Sequence, residues 1–162
     1  MDVRLATLDD AEPIRQIYNL EVTTSTATFD LVPRSLDEQR TWLSERSGAR
    51  AVLVAESDHE VCGFGSLSPW RSRPAYATTV EDSVYVHRDH HRQGVGSALL
   101  DALVTTATAH GFHACMARIV GGHDASIALH LRSGFEVVGT EREVGRKFGK
   151  WLDVVLMERL LT

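Results

Sequence analysis

The sequence predicts an α/β protein of the α+β kind: one mixed sheet of about seven strands with four helices on its faces. Three observations lead there. Runs with period-two alternation and runs with helical spacing follow one another as β, α, α, β, β, β, α, β, α, β, β, which is not a strict βαβ repeat. Hydrophobic residues make up 43% of the 162 positions and charged residues 24%, enough for one real core in a water-facing shell. The breaks between runs are short, with no repeat, linker or low-complexity tract, so a single domain over residues 1–162 is expected.

Each element has a local reason. Val3 to Ala6 reads as a short strand. Thr7 then opens "TLDD", which resembles a capping box with Asp10 in place of the commoner Glu. The helix that follows puts Ile14, Ile17 and Tyr18 on one face and tolerates Pro13 in its first turns. "TTSTATFDLVP" is polar and β-branched and reads as a loop. Ser35 caps a second helix through about Arg46, with Leu36 and Leu43 inward and Gly48 as the stop. "AVLVAE" and "VCGFGSLSPW" flank the polar turn "SDHE" and predict a hairpin. "RSRPAYA" is a loop, and "TTVEDSVYVH" a long strand. Val95, Ala98, Leu99, Ala102, Leu103 and Thr106 then share one helical face, closed by Gly111. "FHACMARIV" is a strand. Asp124 caps a short helix holding Ile127 and Leu131, with Gly134 as its stop. "FEVVGTERE" and "WLDVVLMERL" are the last strands, joined by "VGRKFGK".

Charge and cysteine content exclude several classes. A net charge of −5 argues against a broad nucleic-acid face. Cys62 and Cys115 lie in apolar strand-like runs with no disulfide or metal spacing, so they read as reduced core thiols. No apolar run is long enough to span a membrane, and "MDVRLATLDD" carries no apolar signal region. A cytoplasmic location is the simplest expectation.

The stretch "HHRQGVGSALLDAL" carries the first chemistry. A strand enters a glycine turn and a helix leaves it. The first amides of a helix lack partners and carry partial positive charge. Glycines let backbone approach a bulky anion, so a phosphate or diphosphate is the natural guest, with Arg88 and Arg92 adding charge. A P-loop is excluded because Ser97 follows Gly96 with no lysine between them. A dinucleotide fingerprint is excluded because Leu99 stands where its third glycine belongs. On spacing alone a tight strand-to-helix turn that binds nothing fits as well.

"VYVHRDHHRQGVGSALL" resembles the acetyl-coenzyme A signature of the GCN5-related N-acetyltransferase (GNAT) superfamily. Within it, "TATFD", "SPWRSRPAY", "TVEDSVYVH", "SIALHLRSGFEVVGT" and "REVGRKFGKWLDV" are similar to the phosphinothricin and methionine sulfone N-acetyltransferases, over nearly the whole chain. The resemblance implies the GNAT fold, a mostly antiparallel sheet. It implies acetyl-CoA as co-substrate, with no metal, and a small amino-acid-like amine as acceptor. It further implies a homodimer, with no nucleic-acid or membrane partner. It puts the coenzyme at Val84, Tyr85 and Val86, at the turn His91, Arg92, Gln93, Gly94, Val95, Gly96 and Ser97, and at His123 and Ser126 before and in the short helix. Two positions depart from the family pattern: His91 replaces the usual arginine or glutamine, and His123 replaces an asparagine that contacts the pantetheine arm.

Acetyl transfer to an amine needs a base, an oxyanion donor and help for the leaving thiolate. Glu81 stands among the apolar neighbours Val80, Val84 and Val86, where a charge wants a reason; an exposed strand glutamate is the alternative. The resemblance makes Glu81 the general base, direct or through water. It places His130 at a histidine that assists near the thioester sulfur or the base, and makes the Val86 N–H the oxyanion donor. Arg71, Arg73 and Tyr76 in "RSRPAY" suit a carboxylate-bearing acceptor, guanidinium groups being bidentate carboxylate binders. By resemblance Arg73 and Tyr76 line the acceptor pocket, and Phe29 faces them from the opposing loop. His87, His90 and His91 lie close together, but without a carboxylate or thiolate pattern they read as solvated histidines beside the phosphate turn. A peptide or protein N-terminal acetyltransferase, or a sensor that binds acyl-CoA without turning it over, are the competing functions.

Overall fold

A computed structural model describes residues 1–162. The elements are β1 (Asp2–Leu5), α1 (Ala11–Thr24), α2 (Leu36–Ser44), β2 (Leu53–Ser57), β3 (Glu60–Pro69), β4 (Thr79–Val86), α3 (Val95–Ala109), β5 (Ala114–Val120), α4 (Asp124–Arg132), β6 (Glu136–Lys147) and β7 (Lys150–Leu160). The seven strands form one sheet in the order β1-β2-β3-β4-β5-β7-β6. Every neighbouring pair is antiparallel except β4–β5. The element order and the mixed, mostly antiparallel sheet are those expected from the sequence.

The sheet separates two apolar layers. On one side α3 lays Leu99, Leu100 and Leu103 over Cys62, Leu67 and Cys115. On the other, Ile14, Ile17 and Val22 of α1 and Leu43 of α2 pack on Val54 and Phe64. Both cysteines are buried and free. The capping box forms as read: the Thr7 amide donates to Asp10 Oδ2 at 2.7 Å. Arg4 grips the same carboxylate at 2.8 and 3.0 Å, tying β1 to the start of α1. The Ser35 hydroxyl accepts from the Glu38 amide as an N-cap should.

Four local expectations are corrected. The second helix ends at Ser44, short of Arg46, and Gly48 opens a separate single turn of 3-10 helix rather than closing α2. In α4 the residue turned inward is His130, while Leu131 is 51% exposed. Asp124 is the first helical residue of α4, and His123 holds the cap position. The last hairpin turns on Phe148 and Gly149, both at positive φ, because β6 and β7 stay paired as far as Lys147↔Lys150. Its extra length is absorbed by irregularities after Val137 and after Glu141. No helix is long and apolar enough to cross a membrane.

Candidate active site

The single parallel pair creates the opening. β4 and β5 are paired at Thr79↔Ala114, Val80↔Cys115 and Glu81↔Met116, and the ladder then stops. β4 nevertheless runs on beside β3 to Val86↔Gly63, and β5 runs on beside β7 to Val120↔Val154. Each strand keeps its outer partner and loses its inner one, so a cleft with backbone-lined walls opens after Glu81. The His87 amide donates to the Cys62 carbonyl at 2.7 Å, toward β3. Successive residues of a strand point their amides to opposite sides, so the amides of Val84 and Val86 face the cleft.

The glycine turn stands at the mouth of this cleft. The first helical amide with a backbone partner is that of Ala98, which donates to the Gly94 carbonyl at 3.1 Å; the amides of residues 92–97 donate to no backbone carbonyl. Arg92 (φ 62°) and Gly94 (φ 81°) are left-handed among right-handed or extended neighbours, the alternation that turns successive amides into an anion-binding hollow. A Cβ on Gly94 would meet no protein atom, so the hollow is open there and the glycine is required by its φ. A Cβ on Gly96 would lie 3.1 Å from Leu129, because α3 and α4 approach closely at this point. Arg92 is exposed beside the hollow. Arg88 is not free to join it: its guanidinium is held by Glu21 at 3.2 Å and by Thr24 at 2.6 Å. The histidines point to separate partners, His87 accepting from the Asp89 amide, His90 meeting Gln93, and His91 Nε2 donating to the Val86 carbonyl at 3.2 Å.

Glu81 sits where the ladder ends, and its charge does have a reason. Arg118 of β5 grips it with two parallel bonds, Nε to Oε2 at 3.0 Å and Nη2 to Oε1 at 2.8 Å. The glutamate side chain is 14% exposed, the arginine 53%. The hydrogen bonds to Glu81 raise the Arg118 pKa from its ordinary value against the opposing effect of burial. The guanidinium of Arg118 also lies 5.4 Å from the Trp70 ring. Arg71 packs on the other neighbours of that loop, 4.9 Å from Trp70 and bonded to the Tyr76 hydroxyl at 3.3 Å. Arg71, Arg73 and Tyr76 border one open cavity of about 390 Å³, and Trp70 links its loop to Arg118. Arg118 was missed from sequence, although a lone arginine in "FHACMARIV" is the same kind of signal as Glu81 in its own strand.

His130 does not stand beside Glu81. Residues of opposite parity on β4 face opposite sides of the sheet: Tyr85 packs with the α1 and α2 layer and lines the same cavity as Ser83, whereas Val80 and Val84 pack with the α3 layer. Glu81 shares the face of Ser83 and Tyr85. Asp82 points the other way and meets His130 Nε2 at 2.9 Å, with side-chain exposures of 2% and 4%. His130 Nδ1 is 2.8 Å from the Ser126 carbonyl. A carbonyl only accepts, so Nδ1 carries a proton, and Nε2 is left to share one with the Asp82 carboxyl group. Burial pulls the histidine pKa down, but the Asp82 carboxylate outweighs it and the net direction is up. Asp82 Oδ1 is buried without a partner. Both ring nitrogens of His130 are thus engaged, on the side of the strand away from Glu81.

The loop between α1 and α2 closes the other flank. The Phe29 ring lies against Gly145 of β6. Buried Lys147 donates from Nζ to the Thr28 carbonyl at 2.8 Å, and burial lowers its pKa. The Tyr18 hydroxyl bonds both Thr28, at 2.9 Å, and Asp30. His123 Nε2 meets Thr26 Oγ1 at 2.8 Å, so this histidine bridges α4 to the loop. Ser126 is half-buried in the first turn of α4, its amide bonded to the His123 carbonyl. Lys147 was hidden in what read as a turn; only the continued β6 strand turns it inward.

Known proteins resemble the chain over nearly its whole length. Residues 3–156 match the family described as acetyltransferase (GNAT) domain. The chain is 40% identical to a phosphinothricin N-acetyltransferase of Streptomyces coelicolor, over 99% of this chain and 96% of that protein. It is 39% identical to an L-methionine sulfoximine/L-methionine sulfone acetyltransferase of Pseudomonas aeruginosa, over 96% and 92% respectively. A solved GNAT superfamily phosphinothricin acetyltransferase from Sinorhizobium meliloti, in complex with AcCoA, superposes with a TM-score of 0.94 at 37% identity, covering 98% of this chain and 87% of that one.

Proposed function

This chain belongs to the GNAT acetyltransferase family, an acetyl-CoA-dependent N-acetyltransferase, and from that premise we propose that it acetylates the primary amine of a small amino-acid-like acceptor of the phosphinothricin or methionine sulfone type. The observation that carries the reading is the cleft itself: free amides at residues 92–97, inward amides at Val84 and Val86, and one acidic side chain where the strands part. The amino-acid acceptor is supported by the two relatives named above and by the arginine-bearing loop beside Glu81.

The residues fit the coenzyme. The hollow formed by residues 91–97 takes the diphosphate through backbone amides, so His91 in place of a longer side chain leaves the main grip intact. Acetyl-CoA supplies an acetyl thioester. From the hollow the cleft leads back along β4 toward Glu81, so Val86 lies nearer the diphosphate and Val84 nearer the base. That order favours the Val84 amide as oxyanion donor and leaves the Val86 amide for the pantetheine arm, a revision of the assignment made from resemblance. Glu81 accepts the proton of the incoming amine, directly or through a water. Its fork with Arg118 uses two of about four lone-pair sites and leaves the others to the acceptor. The amine nitrogen bonds the acetyl carbon, the carbon–sulfur bond breaks, and the thiolate leaves to take up a proton. Arg73, Tyr76 and Phe29 hold the acceptor, with Arg73 as the partner of its carboxylate. His123 acts as a tie to Thr26, so that the acceptor loop and the helix beside the coenzyme move together. His130 holds Asp82 rather than moving a proton.

An acceptor screen at fixed acetyl-CoA, read by free thiol, tests this. Thiol release with phosphinothricin or methionine sulfone is expected. Release with peptides alone would establish the rival N-terminal acetyltransferase; coenzyme binding with no release across the panel would establish a sensor. Gly94→Val separates the coenzyme site from the chemistry. A β-branched residue at φ 81° costs about 1–2 kcal/mol of backbone strain, so acetyl-CoA affinity by calorimetry falls about tenfold. Unaltered affinity would remove the turn from the site. We also infer a homodimer. Val137, Val138, Val144, Phe148 and Trp151 on the β6–β7 ribbon are each more than half exposed, and β6 is the outer strand of the sheet. Light scattering at twice the mass of the 162-residue chain is the expected result, and reduction of that mass by Trp151→Glu locates the interface.

A further inference from the structure

A second cavity, of about 160 Å³, lies between α1, α2 and the face of the sheet that carries Glu81. Its floor is Ser66, Ser68 and Ser83, and two guanidinium groups, Arg34 and Arg46, stand over it. Neither meets a carboxylate within ion-pair distance; the arginines that do are Arg4, Arg15, Arg88 and Arg118. Arg46 donates to the Leu67 carbonyl and to Ser68 Oγ, each at 3.1 Å. Arg34 donates to Gln39 Oε1 at 3.3 Å, and the buried Gln39 Nε2 has no partner. The cations are stacked on aromatic rings, Arg34 4.0 Å from Tyr18 and Arg46 4.3 Å from Trp42, with Arg34 also 5.1 Å from Trp42. Burial and the like charges of Arg34 and Arg50 lower the Arg46 pKa. Two preorganised cations thus share one hollow with hydroxyls, and no carboxylate lines it; Asp30, the carboxylate beside Tyr18, is taken by the Tyr18 hydroxyl.

Its place relative to Glu81 sets the reach. Ser68 pairs across the strands with Glu81, and Ser66 with Ser83. Same-face neighbours on a strand are about 7 Å apart. An acceptor whose amine sits at Glu81 therefore reaches the hollow with a group several bonds away, not with its α-carboxylate. We propose that this cavity binds a terminal oxygen-bearing group on the acceptor's side chain, a phosphinate or carboxylate anion or the oxygens of a sulfone, and that Arg34 and Arg46 select for it. The inference rests on the acetyltransferase reading and adds a division of labour: the loop with Arg73 takes the α-carboxylate, the cavity the far end.

Steady-state kinetics with phosphinothricin and with norleucine, which lacks the oxyanion, test the proposal. Arg46→Gln and Arg34→Gln raise KM for phosphinothricin about tenfold or more, the scale of one charge-assisted hydrogen bond, and leave norleucine unchanged. Arg73→Gln raises KM for both. Arg46→Lys restores part of the loss, which separates charge from packing. Equal effects on both acceptors, or none, overturn the assignment. Should Arg46→Gln fail to fold, Ser83→Leu fills the cavity from the floor and carries the same expectation. If no amino acid is acetylated at all, the function is wrong but the cavity is still readable. Trp42 lies between the two arginines, so its fluorescence titrates with inorganic sulfate. A saturable change lost in Trp42→Phe and in Arg46→Gln supports an oxyanion site; its absence, or persistence in both variants, refutes it.

Discussion

Glu81→Gln lowers kcat/KM for the amine acceptor by at least about 100-fold while acetyl-CoA affinity stays the same, the usual scale of general acid–base help. The substitution keeps volume and one acceptor oxygen, so Arg118 retains half of its grip. What is lost is the negative oxygen that, in the proposed mechanism, receives the amine's proton. The two readouts have to part company: the hollow proposed for the coenzyme lies at the other end of β4, beyond Val86, away from the carboxylate. An unchanged rate removes Glu81 from the role. A parallel loss of coenzyme binding also argues against it, because the effect would then be disruption of the cleft rather than of a proton transfer. A rising rate at high pH in the variant, where the amine arrives already deprotonated, is the further expected signature of a missing base.

Asp82→Ala is the largest expected effect on stability. The Asp82–His130 pair is almost wholly enclosed, and deleting the carboxylate leaves the buried imidazole without the partner that favours its charged form. Loss of one partner of such a pair costs about 3–5 kcal/mol, so Tm falls by about 10 °C for a chain of this length. The pH dependence gives the independent check. Asp82 raises the folded pKa of His130 above its ordinary 6.5. A raised pKa contributes stability that is fully present below about pH 6.5 and is lost as pH rises through the folded value. The gap in Tm between the wild type and Asp82→Ala is therefore widest in mild acid and narrows with rising pH. A gap that is constant across pH, or absent, shows that the pair does not hold the charge assigned to it. The same variant is expected to lose far less activity per folded molecule than Glu81→Gln, because Asp82 and His130 face the α3 layer rather than the acceptor side.

Much of this protein was determined by sequence alone, and the reason is that those features are local. Helix faces such as Ile14, Ile17 and Tyr18, the Thr7–Asp10 box, the Ser35 cap and the left-handed Gly94 each depend on residues within a few positions of one another. Spacing therefore exposes them, and the turn from His91 to Ser97 could be recognised before any chain path was known. The tertiary structure alone decided which residues meet across long separations. Glu81 and Arg118 are 37 positions apart, Asp82 and His130 48, Lys147 and Thr28 119. Strand alternation assigns Glu81 and Asp82 to opposite faces, yet it does not say which face the acceptor uses. The proposal for that face draws on the order of strands in the sheet, on the early end of the β4–β5 ladder, and on α1 and α2 lying over one side. Contacts of this kind follow from packing summed over the whole chain, and no short window of sequence contains that sum.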